Sequence, residues 1–392
     1  MAAGEVSRPL PRRAAGGHRA QARGPRGGAG RARWPRADEG RRPHVGPGGE
    51  SQGSAQARGR ACPRTPRAGR AAQEHCTEAG IVTSAARVLE LDDRRLLLNH
   101  LDEVLWPDVG VTKGDLIDYY LDVAEHVLPF VANRPASLLR APDPITGECV
   151  YQKTAPPGLP TWITTRRIRS EHAALGYSDY VLITERAALA YFVNLGYISI
   201  HPWSCTVDTL DRPDLLLFDL DPTEIAFREV RNAALLVRDL LNNFRIRAWV
   251  KTSGGRGLHV MVPLTPQYSF AQVRGAAEVI TRLARSREPS LFTLDMRRAR
   301  RRGKILIDVH RNHRGATLVS PWAVREYAAA TVSTPLEWGE LERPVYPEDF
   351  TLATIRERLA RANDPLASFL GEPQSLTPLL ESGRSRRARP MA

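Results

Sequence analysis

The stretch Leu215–Pro222 reads LLLFDLDP, an apolar run that ends in an Asp-x-Asp pair. On a β-strand, residues i and i+2 point to the same face, so the carboxylates of Asp219 and Asp221 would lie side by side. Because proline cannot donate a hydrogen bond to a neighbouring strand, we expect the strand to stop at Pro222. The pattern predicts two carboxylates at the end of a buried strand.

Two further stretches complete this pattern. Lys251–His259 reads KTSGGRGLH, and Ile305–His310 reads ILIDVH with a lone carboxylate at Asp308. A glycine-rich turn can surround phosphate oxygens with backbone N–H groups. Each stretch alone has an ordinary explanation, as a solvated turn, a hairpin or a capping residue. Together, three carboxylates and a phosphate-binding turn are what two divalent cations need to activate a hydroxyl and neutralise a triphosphate, which predicts a two-metal nucleotidyl-transfer site.

Length and composition exclude several classes of protein. The chain has 392 residues, enough for one large domain or two medium ones with a substantial core. No apolar run approaches the roughly 18 residues needed to cross a bilayer. The N-terminus lacks the apolar segment of a secretory signal, so we expect a cytoplasmic protein. The cysteines are scattered without a Cys-x-x-Cys pair, which predicts reduced thiols rather than disulfides or a zinc site: Cys62, Cys76, Cys149 and Cys205.

The net charge of +13 is concentrated at the N-terminus. Residues 1–70 contain sixteen arginines, no lysine and four acidic residues, which gives +12 from 16 − 4. The rest of the chain is close to neutral. Any nucleic-acid binding by the folded part must therefore come from a local basic patch.

The composition divides the chain into three parts. Residues 1–78 are rich in Arg, Gly, Ala and Pro and hold too few aliphatic side chains for a core, so we predict that they are disordered. They could form a basic arm that grips DNA. The interpretation we favour is an over-extended gene start, with a natural start near Val82. We predict an ordered domain over residues 79–371 and a basic disordered tail over residues 372–392.

Hydrophobic periodicity gives a coarse secondary structure for the ordered part. We expect helices at 113–133, 185–195, 228–244, 270–286 and 352–362. We expect strands at 181–184, 197–201, 215–219, 247–251, 258–264, 304–309 and 316–319. Helices and strands mix without strict alternation, which predicts an α/β to α+β fold with a mixed β-sheet core and flanking helices.

These residues, in this order, resemble the polymerase domain of bacterial DNA ligase D. That domain belongs to the archaeo-eukaryotic primase superfamily and works in non-homologous end joining. The resemblance spans residues 85–365 and implies that the ordered part is a primase-polymerase-like catalytic domain. The lysine motif of ligases, Lys-x-Asp-Gly, is absent, so we interpret the chain as a stand-alone polymerase. The matching segments are Leu98–Pro107, Thr112–Asp115, Asn133–Pro135, His201–Trp203, Phe218–Pro222, Thr252–His259, Asp308, Asn312–Gly315, Ser320–Pro321 and Ser333–Trp338.

The resemblance assigns roles to individual residues. Three carboxylates would hold the two metals: Asp219, Asp221 and Asp308. Contacts to the incoming nucleotide would come from Ser253, Arg256, His259, His201, Tyr151, Arg311 and Arg325, with Tyr151 stacking on a base. Lys113 would hold the 5′-phosphate of a recessed DNA end. Plain structural roles stay open for Tyr151, His201 and Lys113.

This sequence departs from the family at three of these positions. Glu103 stands where the family has a second 5′-phosphate lysine. Because a carboxylate repels a phosphate, weaker 5′-phosphate recognition is expected. Arg311 replaces a glutamine that contacts phosphate, and Arg256 replaces the lysine of the glycine turn, which keeps the charge and changes its geometry.

The sequence therefore predicts a metal-dependent nucleotidyltransferase that extends DNA 3′-ends, with two Mn²⁺ or Mg²⁺ ions as cofactors. The resemblance favours manganese and ribonucleotides. Three alternatives remain: a primase that starts chains de novo, a DNA-end-binding scaffold with weak catalysis and, less favoured, a two-metal nuclease. Expected partners are primer–template, gapped or recessed DNA ends, NTPs or dNTPs, a Ku-like protein and a separate ATP-dependent ligase, at the bacterial nucleoid and without a membrane.

Overall fold

A computed structural model describes residues 86–141, 144–170, 173, 175–361 and 363–387. The predicted disorder of residues 1–78 lies outside the described residues. The strands are β1 Arg87–Leu91, β2 Arg94–Leu98, β3 Val104–Trp106, β4 Val111–Thr112, β5 Ala136–Arg140, β6 Val150–Gln152, β7 Thr165–Arg169, β8 Tyr177–Val181, β9 Tyr197–Pro202, β10 Leu215–Thr223, β11 Trp249–Thr252, β12 Leu258–Pro263, β13 Phe292–Thr293, β14 Lys304–Asp308 and β15 Pro335–Leu336. The helices are α1 Lys113–Asp122, α2 Ala124–Val131, α3 Arg186–Asn194, α4 Phe227–Asn242, α5 Phe270–Arg287, α6 Leu352–Arg361 and α7 Thr377–Arg387.

The central element is a six-stranded mixed sheet with the order β13-β14-β10-β12-β11-β15. Every neighbouring pair is antiparallel except β13 and β14, which run parallel. The α/β to α+β prediction with a mixed sheet and flanking helices is confirmed. No helix among the described residues has both the length and the apolar character to span a bilayer.

The alternation of side chains along β10 divides this strand between two environments. Leu216, Phe218 and Leu220 belong to the main core, which also contains the apolar faces of α4 and α5. On the opposite face, Leu217 packs in a small cluster with Trp249, Met261, Leu366 and Phe369. The two residues that follow Leu217 at intervals of two are aspartates, so the apolar face changes into a carboxylate face within one strand.

A second sheet has the order β6-β5-β8-β7, and β9 also pairs with β5. Helix α1 links this half of the protein to the segment between β14 and β15. The hydroxyl of Tyr119 donates to the carbonyl of Trp322 over 2.8 Å, and the hydroxyl of Tyr120 donates to the carbonyl of Ile198 over 2.9 Å. Both tyrosines are buried, so these contacts fix α1 between the two parts.

Pro222 does not end its strand, and our prediction was wrong there. Strand β10 continues to Thr223 and pairs with β14 through Pro222 and Ile305. On the other side, the pairing of β10 with β12 has already ended at Leu220. The proline ring faces Gly257 on that side, where no N–H is required for the ladder.

Four other predictions differ from the structure. The predicted strand over 181–184 shares only Val181 with β8, which ends there. The predicted helix over 113–133 is interrupted at Val123, whose ψ of 8° is not helical. The predicted strand over 316–319 is reduced to a single bridge between Thr317 and Trp203. The predicted disordered tail contains α7, because Leu376 and Leu379 are fully buried among the core residues that also include α5. Two leucines in an arginine-rich stretch were too weak a signal to predict this packing.

Candidate active site

The three predicted carboxylates lie on the neighbouring strands β10 and β14 of the central sheet. Asp219 on β10 and Asp308 on β14 are direct partners in the antiparallel register, and Asp221 lies two residues further along β10. Side-chain exposure is 15% for Asp219, 13% for Asp308 and 45% for Asp221. All three line one cavity of about 540 Å³. The side-by-side arrangement expected from the sequence is therefore present.

Two arginines pair with these three carboxylates and offset most of their charge. The Nε atom of Arg311 lies 3.3 Å from Asp219 and 3.6 Å from Asp308. Arg301, whose side chain is only 8% exposed, donates to Asp221 over 2.7 Å. Within the described ranges, no group of three or more His, Cys, Asp or Glu residues is arranged to hold a metal ion. The carboxylates are instead oriented towards guanidinium groups.

The chemistry of the donor set still fits a hard divalent cation, since Mg²⁺ and Mn²⁺ prefer carboxylate oxygens. Burial raises the pKa of Asp219, but His259 at 3.4 Å and Arg311 outweigh it and hold that pKa at about 2. Burial and the nearby Lys251 lower the pKa of His259 to about 4. At neutral pH the site therefore presents an ionised Asp219 beside a neutral imidazole.

The glycine-rich turn packs against the carboxylate strand at two points. Gly254 has φ +69°, and a Cβ there would meet Arg325 at 2.5 Å. A Cβ on Gly257 would lie 2.4 Å from the carbonyl oxygen of Leu220, between the two aspartates of β10. Only glycine permits this approach, so the turn and the carboxylates form one rigid unit.

Ser253 organises the turn in a way that the sequence did not indicate. Its hydroxyl oxygen accepts the backbone N–H groups of Gly255 at 3.2 Å and Gly257 at 3.1 Å. We expected these N–H groups to surround a phosphate, and at least these two are used inside the turn. Ser253 and the exposed side chain of Arg256 are part of the cavity lining.

The structure brings the other predicted nucleotide contacts into the same cavity, whose lining includes Tyr151, His201, His259, Arg311 and Arg325. Tyr151 is half exposed, and its ring meets the edge of the His201 ring at 5.0 Å. The Nε2 atom of His201 is buried and has no hydrogen-bond partner in the protein. Burial, together with Arg325, lowers the pKa of His201 well below its usual value, so this imidazole is neutral.

Lys113 lies in a different cavity of about 690 Å³. Its Nζ atom is 3.5 Å from the side-chain oxygen of Asn99, and Glu103 lines the same cavity. Strand β6 stands between the two cavities, because its alternation directs Val150 and Gln152 to this one and Tyr151 to the other. Glu103, where this sequence departs from the family, therefore faces the same cavity as Lys113.

Sequence reasoning missed two charged residues at the site. Lys251 is fully buried, lies opposite His259 in the β11–β12 register and donates to the hydroxyl of Ser333. Burial, followed by Arg325, lowers its pKa well below the usual value. Its presence as a single lysine in the strand before the glycine-rich turn could have indicated that it belongs to the site. Arg301 had none, since it stands in a run of arginines.

The side chain of Asn312 joins the turn after Asp308 to the strand that contains Asp219, and we expect its removal to lower the stability of the protein. Its side-chain oxygen accepts the N–H of Leu217 at 2.9 Å, and its side-chain nitrogen donates to the carbonyls of Leu217 at 2.7 Å and Val309 at 3.1 Å. Asn312→Ala would leave these buried groups unpaired, at about 1–3 kcal/mol each at most. We expect a fall of roughly 2–4 kcal/mol in the free energy of unfolding in urea. A loss under about 0.5 kcal/mol, the range of an ordinary surface substitution, would contradict this role.

Comparisons with known proteins find relatives of this chain. A family model described as LigD, primase-polymerase domain, matches residues 112–366. The multifunctional non-homologous end joining protein LigD of Pseudomonas aeruginosa is 30% identical over 288 residues, which cover 71% of this chain and 33% of that protein. The protein of the same name from Mycolicibacterium smegmatis is 30% identical over 256 residues, 64% of this chain and 33% of its own length.

A solved structure shows the same fold. The polymerase domain of Mycobacterium tuberculosis ligase D, in complex with DNA, aligns with a TM-score of 0.65 and 27% sequence identity, over 71% of this chain and 99% of that chain. The present chain spans about a third of the length of the two end-joining relatives. The similarity is thus to one domain of those larger proteins.

Proposed function

This chain belongs to the LigD primase-polymerase domain family, and from that membership we propose that it is a polymerase that adds nucleotides to DNA 3′-ends in non-homologous end joining. The observation that carries the proposal is the meeting of Asp219, Asp221 and Asp308 in one cavity with the glycine-rich turn. A binding module would need neither this carboxylate group nor the buried charges behind it.

The carboxylates would hold two divalent cations, either Mn²⁺ or Mg²⁺. When bound, such ions lower the pKa of the attacking 3′-hydroxyl and stabilise the charge of the leaving pyrophosphate. The ionised state of Asp219 at neutral pH supports this role, because a ligand of a hard cation must be deprotonated. A preference for Mn²⁺ is suggested only by the family resemblance.

Residues of this chain would bind and orient the triphosphate. Arg256 and the hydroxyl of Ser253 are donors at the cavity lining. Arg325 donates to the carbonyl of Ser253 and pairs with Glu326, so its charge is held rigidly beside the turn. Fixed donors of this kind lower the cost of reorganisation as charge develops on the phosphates.

Two aromatic residues would orient the nucleoside. The half-exposed ring of Tyr151 offers a face for stacking on any base. Behind it, the unpartnered Nε2 atom of His201 offers a hydrogen bond to a sugar hydroxyl. A ribose presents one more hydroxyl than a deoxyribose, which supports the proposed preference for ribonucleotides.

A primer-extension assay tests the proposed function directly. The protein is incubated with a labelled primer–template, Mn²⁺ or Mg²⁺, and either rNTPs or dNTPs. We expect the primer to lengthen, more with rNTPs. Products formed only without a primer would indicate a primase, shortened primers a nuclease, and binding without any product a scaffold. A Ku-like protein and a separate ligase remain proposed partners at DNA ends, supported by the end-joining role that the relatives are named for.

The cavity that contains Glu103 provides a test of DNA-end recognition. Its lining includes two acidic side chains, Glu103 and Glu148, and two basic ones, Lys113 and Arg140, so their charges balance. We expect only a weak preference for a gapped end with a 5′-phosphate over one with a 5′-hydroxyl. Glu103→Lys should raise this preference up to roughly tenfold, as for a charge-assisted hydrogen bond of about 1.5 kcal/mol, and Lys113→Ala should remove what exists.

Competition binding between the two labelled ends measures this preference. Glu90→Lys makes the same charge change at an exposed position of β1 and serves as the control. A strong native preference for the 5′-phosphate that Glu103→Lys leaves unchanged would exclude the proposed role of this cavity.

A further inference from the structure

Imidazole and guanidinium groups gather on the 3₁₀ turn Val309–Asn312 and the residue after it. The rings of His310 and His313 lie with their centroids 5.5 Å apart and their planes tilted by 34°. From α5, the Nη1 atom of Arg274 reaches to 2.7 Å from Nε2 of His313. We refer to His310, His313 and Arg274 as the His–Arg cluster. Its side chains lie outside the lining of the catalytic cavity.

The His–Arg cluster is attached to a predicted metal ligand. The side chain of Asp308 caps the turn by accepting the backbone N–H of His310 at 2.9 Å. Asn312 ties the same turn to β10 through its three side-chain hydrogen bonds. In the proposed two-metal site, Asp308 would serve the ion at the 3′-hydroxyl of the DNA. The cluster therefore keeps a fixed position relative to that 3′-end.

The tautomer of His313 leaves one ring N–H outside the hydrogen bonds within the cluster. A guanidinium can only donate, so Nε2 of His313 accepts from Arg274, and Nδ1 of His310 also lies 3.4 Å from that atom. The ring proton of His313 is therefore on Nδ1. On its other side, Nε of Arg274 lies 3.6 Å from one carboxylate oxygen of Glu278. The second oxygen of Glu278 lies 3.8 Å from Arg282. One carboxylate thus serves two guanidinium groups, and the surface keeps a positive charge.

The arginines on and next to the turn Val309–Asn312 already form ion pairs with carboxylates. Arg311 is paired with Asp219 and Asp308. Arg314 donates to Asp211 over 2.7 Å and lies over the ring of Trp203. Arg274 differs, because its partner at Nη1 is a neutral ring and its carboxylate is shared.

Resting on the proposed function, we propose that the His–Arg cluster binds a backbone phosphate of the DNA strand whose 3′-end lies at Asp308. The last few phosphates of such a strand must pass close to the turn that Asp308 caps. A planar guanidinium beside a ring N–H matches the oxygens of a phosphate, and contacts of this kind set the register of a strand without reading its sequence. The cluster would thereby position the primer end at the carboxylates.

Salt-dependent binding tests the inference without catalysis. A fluorescent primer–template is titrated with protein in EDTA at several NaCl concentrations, with anisotropy as the readout. The double variant Arg274→Ala, His313→Ala should bind several-fold more weakly at low salt, and the slope of log K against log salt should fall by about 1. Arg228→Ala removes a more exposed charge from α4, 74% against 36% for the side chain of Arg274, and should leave the slope unchanged. An equal effect of both changes would overturn the proposal.

A second measurement identifies the contacted phosphate. Primers are made with a single uncharged methylphosphonate at each of the last four linkages. At one position the native protein should lose affinity and the double variant should lose none. The single variant His313→Gln gives the same test if the double variant melts at a lower temperature. The inference would be overturned if the two proteins differed only for substitutions in the template strand, or for no substitution at all. The primer-extension assay of the native protein decides the proposed function separately, because this binding assay needs neither metal nor nucleotide.

Discussion

Asp219→Asn is expected to abolish nucleotide addition while the protein remains folded. The substitution keeps the shape of the side chain and removes the charge that lies closest to Asp308 in the sheet register. Metal ions and their ligands contribute several kcal/mol to phosphoryl transfer, so a loss of at least about a thousandfold in rate is expected. Arg311 retains Asp308 as a partner at 3.6 Å, which limits the effect on stability.

Single-turnover primer extension measures the rate, and Mn²⁺ titration calorimetry measures the ions bound. Asp239→Asn on α4 removes an exposed carboxylate paired with a neighbouring arginine and serves as the matched control. We expect the control to behave as the native protein does. Native rates in the Asp219→Asn variant, or unchanged metal binding, would remove Asp219 from the metal site.

Gly257→Ala is expected to damage both stability and activity. The added Cβ would lie 2.4 Å from the carbonyl oxygen of Leu220, a backbone atom that cannot move without shifting β10. Overpacking of this kind costs about 1–3 kcal/mol of folding free energy. Displacing the turn by about 1 Å relative to the carboxylates should also lower the rate roughly a hundredfold.

Gly275→Ala is the matched control for this substitution. Gly275 lies in α5, and a Cβ there meets no heavy atom within 4 Å. Alanine in a helix interior is favoured over glycine by roughly 0.5–1 kcal/mol, so the same chemical change should raise stability at this position. If both variants had the same free energy of unfolding in urea, the close approach at Gly257 would not contribute to stability.

Local patterns in the sequence were sufficient for the parts of the site that depend on one strand or one turn. The alternation of β10 places Asp219 and Asp221 together, and the apolar run before Asp308 predicts β14. Features that depend on distant residues were not predictable in this way. The pairing of Arg301 with Asp221 joins residues 80 positions apart, and nothing in an arginine run marks which member becomes buried.

The limits of strand β10 show the same distinction. Proline ends a strand only where its missing N–H is needed, and that depends on which neighbour continues beside it. At Pro222 the neighbour β12 has already stopped while β14 continues. The end of β10 therefore depends on how three strands pair, and the sequence of one segment does not predict that pairing.

The arginines that balance the carboxylates have a consequence for how the protein withstands shortage of metal. With Arg311 on Asp219 and Asp308, and Arg301 on Asp221, the acidic edge carries its own counter-charges. Chelators unfold proteins whose metal site is the source of their folding energy, as in zinc fingers. Here a chelator should stop the proposed polymerase reaction and leave the protein folded, with its melting temperature lower only by what the bound ions contributed. A cell starved of manganese or magnesium would then keep a reserve of intact protein ready for the return of the ion.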